Sequence, residues 1–193
     1  GHDTRTKEQS EELRAVWKRK DISRLDFVTG WHAQALNLFK KRQGRFGFVT
    51  TNSITQGDQV PRLFGPVFDA GWRIRFAHKT FAWDSEAPGK AAVHCVIVGF
   101  DREDALAPRL WDYARPNGAP KLTHVEKEIN GYLVDGPNVL VKSSSTPISK
   151  VIEPAAFGNT PRDGGHLIVE QKDYAEFSQD PVASKYLRRF VGS

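Results

Sequence analysis

Apolar and polar positions follow several distinct rhythms along this chain, and each predicts an element. Over residues 10–20, "SEELRAVWKRK", a candidate N-cap precedes acids in the first turn and bases in the last, the charge order a helix dipole favours; a short helix is expected. Leu25, Val28, Trp31, Ala35 and Phe39 then recur at three- and four-residue steps, predicting a second helix over 23–42 that ends in Lys40, Lys41 and Arg42 before Gly44. Trp31 and His32 on it read as packing plus a partly exposed imidazole rather than a ligand site. "RFGFVTTNS" has the pattern of a parallel strand buried on both faces. Gly57 and Asp58 open a third helix through Val60, Phe64, Val67 and Phe68, with Pro61 in its first turn and Gly71 closing it.

From 73 to 80 charged and apolar residues alternate, with Ile74, Phe76 and His78 on one side and Arg73, Arg75 and Lys79 on the other. This suits a strand with one solvated face at a sheet edge. "AAVHCVIVGF" is apolar throughout, so it belongs deeper in the sheet and pairs with the preceding strand as a hairpin. Between the two, Phe81 and Trp83 stand at the mouth of an interruption that runs from Ala82 to Ala91. Beyond Asp101 the pattern changes to short strands separated by Gly, Pro and Ser. The expected organisation is an α/β unit over 1–104, a linker over 105–128 and a β-rich unit over 129–193.

Composition narrows the class. With 39% hydrophobic and 26% charged residues in 193, the chain has the make-up of a soluble globular protein with ample core. No membrane-length apolar run and no leader pattern is present, so a cytoplasmic location is expected. The single cysteine, Cys95, lies in an apolar run and reads as a buried, inert thiol. No methionine occurs at all, which predicts an excised segment, with Gly1 and His2 open to being tag remnants. The formal charge is +5, and residues 1–60 carry 11 Lys and Arg against 7 Asp and Glu. That balance admits nucleic acid as a partner without requiring it.

No phosphate loop, Cys and His metal spacing or nucleophile elbow is present, and no metal site is expected. Position carries the remaining argument. In an open α/β sheet, ligands bind beyond the carboxyl ends of the parallel strands. A helix between the two strands implies that they are parallel, which brings Thr51, Asn52 and Ser53 to the same rim as Phe81 and Trp83, the returning strand being antiparallel.

Three such strands, the last doubling back, form the ending of a class I (Rossmann-like) methyltransferase sheet. The stretch from "RLDFVTGWHAQALNLF" through "AAVHCVIVGF", with "INGYLVDGPNVLV" and "FGNTPRDGGHLIVE", resembles the MmeI-like adenine-N6 DNA methyltransferases of restriction-modification systems. The resemblance implies S-adenosylmethionine as cofactor, double-stranded DNA as partner, no membrane, and room for a nuclease elsewhere in the parent chain. It makes 1–104 the end of the catalytic domain and 129–193 the start of a target recognition domain. The Gly-containing cofactor loop and the Asn-Pro-Pro-Phe motif of such enzymes are not in this sequence, whose start resembles the segment directly after that motif. By itself the segment is expected to be inactive, with no catalytic residue of its own.

Within that family likeness, Phe81 matches the aromatic position that stacks a flipped adenine, and Trp83 is the runner-up. Asn52 and Ser53 are expected to line the pocket, although a strand-end turn needs the same residue types. Lys79 and Lys90 flank the loop and are candidates for phosphates, a solvated face being the plain alternative. Arg162, in the turn "NTPRDGG", is a candidate DNA contact or simply part of a Gly-rich turn. Two competing readings are a non-catalytic DNA-binding or assembly module with a methyltransferase-like fold, and methylation of RNA or protein.

Overall fold

The computed structural model describes residues 4–83, 93–103, 106–146, 149, 151 and 163–189. Helix α1 spans Lys7–Trp17 and starts earlier than Ser10 because Thr6 supplies a stronger cap. The Thr6 hydroxyl accepts from the Gln9 N–H at 3.1 Å, and the Gln9 side chain accepts from the Thr6 N–H at 3.0 Å. The predicted second helix is also shorter than its periodicity: Phe27–Thr29 is a 3₁₀ turn and α2 covers only Gly30–Leu38. Asp26 interrupts the run, its extended N–H donating to the Gln59 side chain at 3.0 Å. That shift reverses the expected roles of the adjacent pair. His32 is fully buried against Phe48 and Phe100, whereas Trp31 is 64% exposed.

Strand β1 covers Phe46–Thr51, and a 3₁₀ turn at Asn52–Thr55 leads to α3, Gln59–Asp69. Gly71, at φ +78°, reverses the chain into β2, Arg73–Trp83, followed by β3, Val93–Asp101. Arg109–Tyr113 and Pro120–Thr123 form β4 and β5, and the sheet order is β1-β3-β2-β4-β5. β3 pairs antiparallel with both β1 and β2, so β1 and β2 run parallel on either side of it. The expected hairpin of β2 and β3 is present.

Two expectations about the strands are corrected. β2 is not an edge, because β4 pairs with it in parallel on its other side. β1 is buried on one face only: Thr50 is buried and Val49 is 48% exposed. The residues expected to link two units therefore extend the sheet, through a hairpin whose turn is closed by the Gly118 N–H donating to the Arg115 carbonyl at 2.8 Å.

Helices α1, α2 and α3 lie on one face of this sheet. There Leu13, Ile54, Val60, Leu63, Phe64 and Val67 pack with Ile74, Ala77, Val96, Val98, Phe100 and Leu110, burial that supplies the main stabilisation of the unit. Gly131 lies against Phe64, and Ile129 and Leu133 join the same core.

The chain divides into two units, Gly1–Ser144 and Ser145–Ser193. Strands expected in "INGYLVDGPNVLV" appear as single bridges, Ile129 to Ile74 and to Asp135. Gly131, Gly136 and Pro137 cut the alternation too often to sustain a ladder. In the second unit the described residues carry α4, Tyr174–Gln179, and a 3₁₀ turn at Ala183–Lys185, with Leu167 in the stretch "HLIVE" 79% exposed rather than paired.

Candidate functional site

Bulges in β2 decide which side chains share the second face of the sheet. Ile74 pairs with Phe100 and Phe76 with Gly99, so two steps along β2 match one along β3. Ile74 therefore enters the core, while Phe76 and His78 turn to the opposite face, correcting the alternation expected from sequence. A second irregularity follows, His78 pairing with Ile97 and Phe81 with Cys95, three steps against two. It returns Phe81, and Trp83 two residues on, to the face of His78.

At the carboxyl rim, Cys95 is paired with Thr51 on one side and Phe81 on the other. Two strand spacings then separate Thr51 from Phe81, about 10 Å. Neither aromatic belongs to the core: Phe81 is half-buried and Trp83 is 46% exposed. Their ring centroids are 6.4 Å apart at 51°.

Strand β4 supplies residues that the sequence pattern did not single out. Tyr113 stacks on Phe81, centroids 5.4 Å apart and planes at 29°. Its hydroxyl is 2.8 Å from Nδ1 of His78, which lies flat on Trp111 at 4.6 Å and 6°. Burial lowers the pKa of His78 and raises that of Tyr113, so both are neutral at pH 7 and hold the bond as an uncharged pair. Burial likewise pushes the Cys95 thiol up, leaving it protonated and unreactive. The signal for this strand was present in "RLWDYARPNGAPKLT", where Trp111 and Tyr113 alternate with Leu110 and Asp112 ahead of an Asn-Gly turn.

The remaining candidates divide. Ser53 donates its hydroxyl to the buried Asp26 carboxylate and is 2.9 Å from the Thr51 hydroxyl, which fixes the turn after β1. The neighbouring Asn52 is half-buried; its carbonyl accepts from the Thr55 hydroxyl at 2.8 Å, and its amide makes no hydrogen bond with a described residue. Lys79 donates to Asp112 at 2.7 Å, and that bond holds the Asp112 carboxyl below its ordinary range. Lys90 and Arg162 lie outside the described residues. Among the described residues no group of three or more His, Cys, Asp or Glu is arranged to hold a metal ion, and no helix is long and apolar enough to cross a membrane.

Residues 1–112 match the family model of the MmeI DNA-methyltransferase domain, and residues 135–193 match that of the MmeI target recognition domain. DNA methyltransferase A of Bacillus subtilis (strain 168) is 34% identical over 195 residues, which cover 100% of this chain and 21% of that protein. The structure of the Type IIL restriction-modification enzyme MmeI in complex with DNA aligns with a TM-score of 0.88 at 39% identity, covering 100% of this chain and 26% of that one. The chain thus spans no more than about a quarter of the length of these relatives. The recognition-domain match begins at 135, yet Leu140 still packs on the core of the first unit; lineage and packing draw the boundary at different places. A sheet with an antiparallel strand between two parallel ones, in a chain matched in fold and in sequence along its whole length, places the chain in the MmeI family of DNA methyltransferases.

Proposed function

We propose that this chain forms the target-base end of a DNA methyltransferase that transfers a methyl group from S-adenosylmethionine to N6 of adenine in duplex DNA, as part of a restriction-modification system. The observation that carries the reading is the aromatic pair Phe81 and Trp83 at the carboxyl rim, outside the core and level with the Thr51 strand end. An amino group inside a duplex is out of reach of any active site, so the nucleotide is turned out and its base rests on an aromatic face. Phe81 is our first choice for that face and Trp83 the second. Asn52 has an amide unbonded among the described residues beside the same rim, and Ser53, held by Asp26, shapes the turn that presents it.

The Gly-containing cofactor loop of such enzymes is not in this sequence, and Ser53 at the strand end is bonded to Asp26. S-adenosylmethionine supplies the methyl group when bound by the full-length protein, and the part of this chain is to hold the base and exclude water from it. Lys90 and Arg162 are assigned to DNA phosphates. Lys79 takes a smaller share, because a phosphate must compete for it with the Asp112 carboxylate. We assign 1–104 to the catalytic domain, 105–128 to the connection and 129–193 to the recognition domain, a division that the family matches over 1–112 and 135–193 support in outline. A cytoplasmic setting and a nuclease elsewhere in the full-length protein complete the reading.

The test is Phe81→Ala in the full-length protein that contains this chain, assayed with labelled S-adenosylmethionine on duplex DNA in the presence of competing RNA. Stacking worth about 1–3 kcal/mol per base predicts a loss of DNA methylation of about 5- to 150-fold with cofactor affinity unchanged. Equal loss of cofactor binding and methylation, or methylation of the RNA instead, would overturn the reading.

A further inference from the structure

Strands β4 and β5 make a finger to which base stacking on Phe81 assigns no task. β4 is parallel to β2, so the turn at 114–119 leaves the sheet at the same rim as Phe81. Pro116 and Asn117 form its centre, where proline presets the backbone, and the Gly118 N–H closes it on the Arg115 carbonyl. Besides the His78 contacts with Trp111 and Tyr113, three more bind the finger to the end of β2. The Ala82 N–H donates to the Pro116 carbonyl at 2.9 Å, Tyr113 stacks on Phe81, and Lys79 pairs with Asp112.

Arg115, at the tip, is exposed, and its guanidinium has no partner among the described residues. Residues 113–125 contain neither Asp nor Glu, and the one carboxylate of β4, Asp112, is already paired. This guanidinium, unpaired among the described residues, sits on a turn whose backbone is locked to the strand that carries Phe81, so its Cα is at a set place relative to that ring. The backbone cost of meeting an anion is thereby already met, and only the side chain remains to be ordered.

We propose that the β4–β5 hairpin is a DNA-backbone contact in which Arg115 binds a phosphate flanking the nucleotide turned out onto Phe81. The proposal rests on the target-base reading for its location. A phosphate is the anion chosen because the guanidinium fork matches its geometry, and because the larger part of protein–DNA hydrogen bonds goes to the backbone rather than to base edges.

The experiment measures affinity of the full-length protein for a duplex by fluorescence anisotropy between 50 and 200 mM salt. For Arg115→Ala the slope of log affinity against log salt becomes shallower by about 0.9, and duplexes of unrelated sequence lose affinity by the same factor. Arg115→Lys keeps most of the slope. Lys40→Ala makes the same change of charge beyond the amino end of β1, at the opposite rim, and leaves the slope as it was. An unchanged slope in Arg115→Ala, or an equal change in Lys40→Ala, would refute the contact. The two readings separate cleanly: if Phe81→Ala leaves methylation intact while Arg115→Ala flattens the slope, the stacking assignment falls and the backbone contact stands.

Discussion

Phe81 and Tyr113 stack across neighbouring parallel strands, 5.4 Å between centroids, although they are 32 positions apart in the chain. Tyr113 is in turn held by its 2.8 Å bond to His78. Tyr113→Phe keeps the ring and loses that bond, so it is expected to cost about 0.5–1.5 kcal/mol of stability. Tyr113→Ala also removes the ring pair and costs about 0.5–1.5 kcal/mol more, beyond the lost burial. Urea denaturation of the three proteins measures both steps. Identical midpoints for the two variants would show that the stack contributes nothing.

His32 gives the protein an acid sensitivity. Its imidazole is completely buried against Phe48 and Phe100, neither ring nitrogen has a partner among the described residues, and desolvation lowers its pKa to about 4. The unfolded chain titrates near the ordinary 6.5, so between about pH 6.5 and 4 it binds a proton that the folded chain refuses. Stability contributed by this site is complete above 6.5 and declines as pH falls through that window, by up to about 1.4 kcal/mol for each pH unit. His32→Leu is expected to flatten the slope of unfolding free energy between pH 6.5 and 4.5. A slope equal to that of the parent would place the sensitivity elsewhere.

Asp101 closes β3 with no exposed side-chain surface, its carboxylate 2.8 Å from Nε of Arg73 and 3.5 Å from Nε of Arg75. Removing it leaves two guanidiniums largely buried at the foot of β2, and Asp101→Ala is expected to cost about 3 kcal/mol. Asp101→Asn retains an acceptor and falls between the two. A shift in the urea midpoint below a third of that size for Asp101→Ala would mean that water replaces the carboxylate at little cost.

Periodicity by itself determined much of this fold. A helix at 59–69 bounded by Gly57 and Gly71, the pairing of β2 with β3 and the parallel run of β1 and β2 all arise from local rules, because apolar spacing and glycine geometry act within a few residues. The rim was legible for the same reason, since parallel strands joined by a helix end on one side. Other features were settled by contacts between distant segments. The Arg75 bulge sends Ile74 and Phe76 to opposite faces, an outcome set by pairing with Phe100 and Gly99. His32 rather than Trp31 is buried because Asp26 bonds to Gln59 and delays the helix. Tyr113 reaches Phe81 only because β4 docks on β2, a pairing between segments about thirty residues apart that no local rule encodes. Hydrophobic pattern records which side chains prefer to leave water, whereas strand partners and bulges decide which face each of them leaves it on.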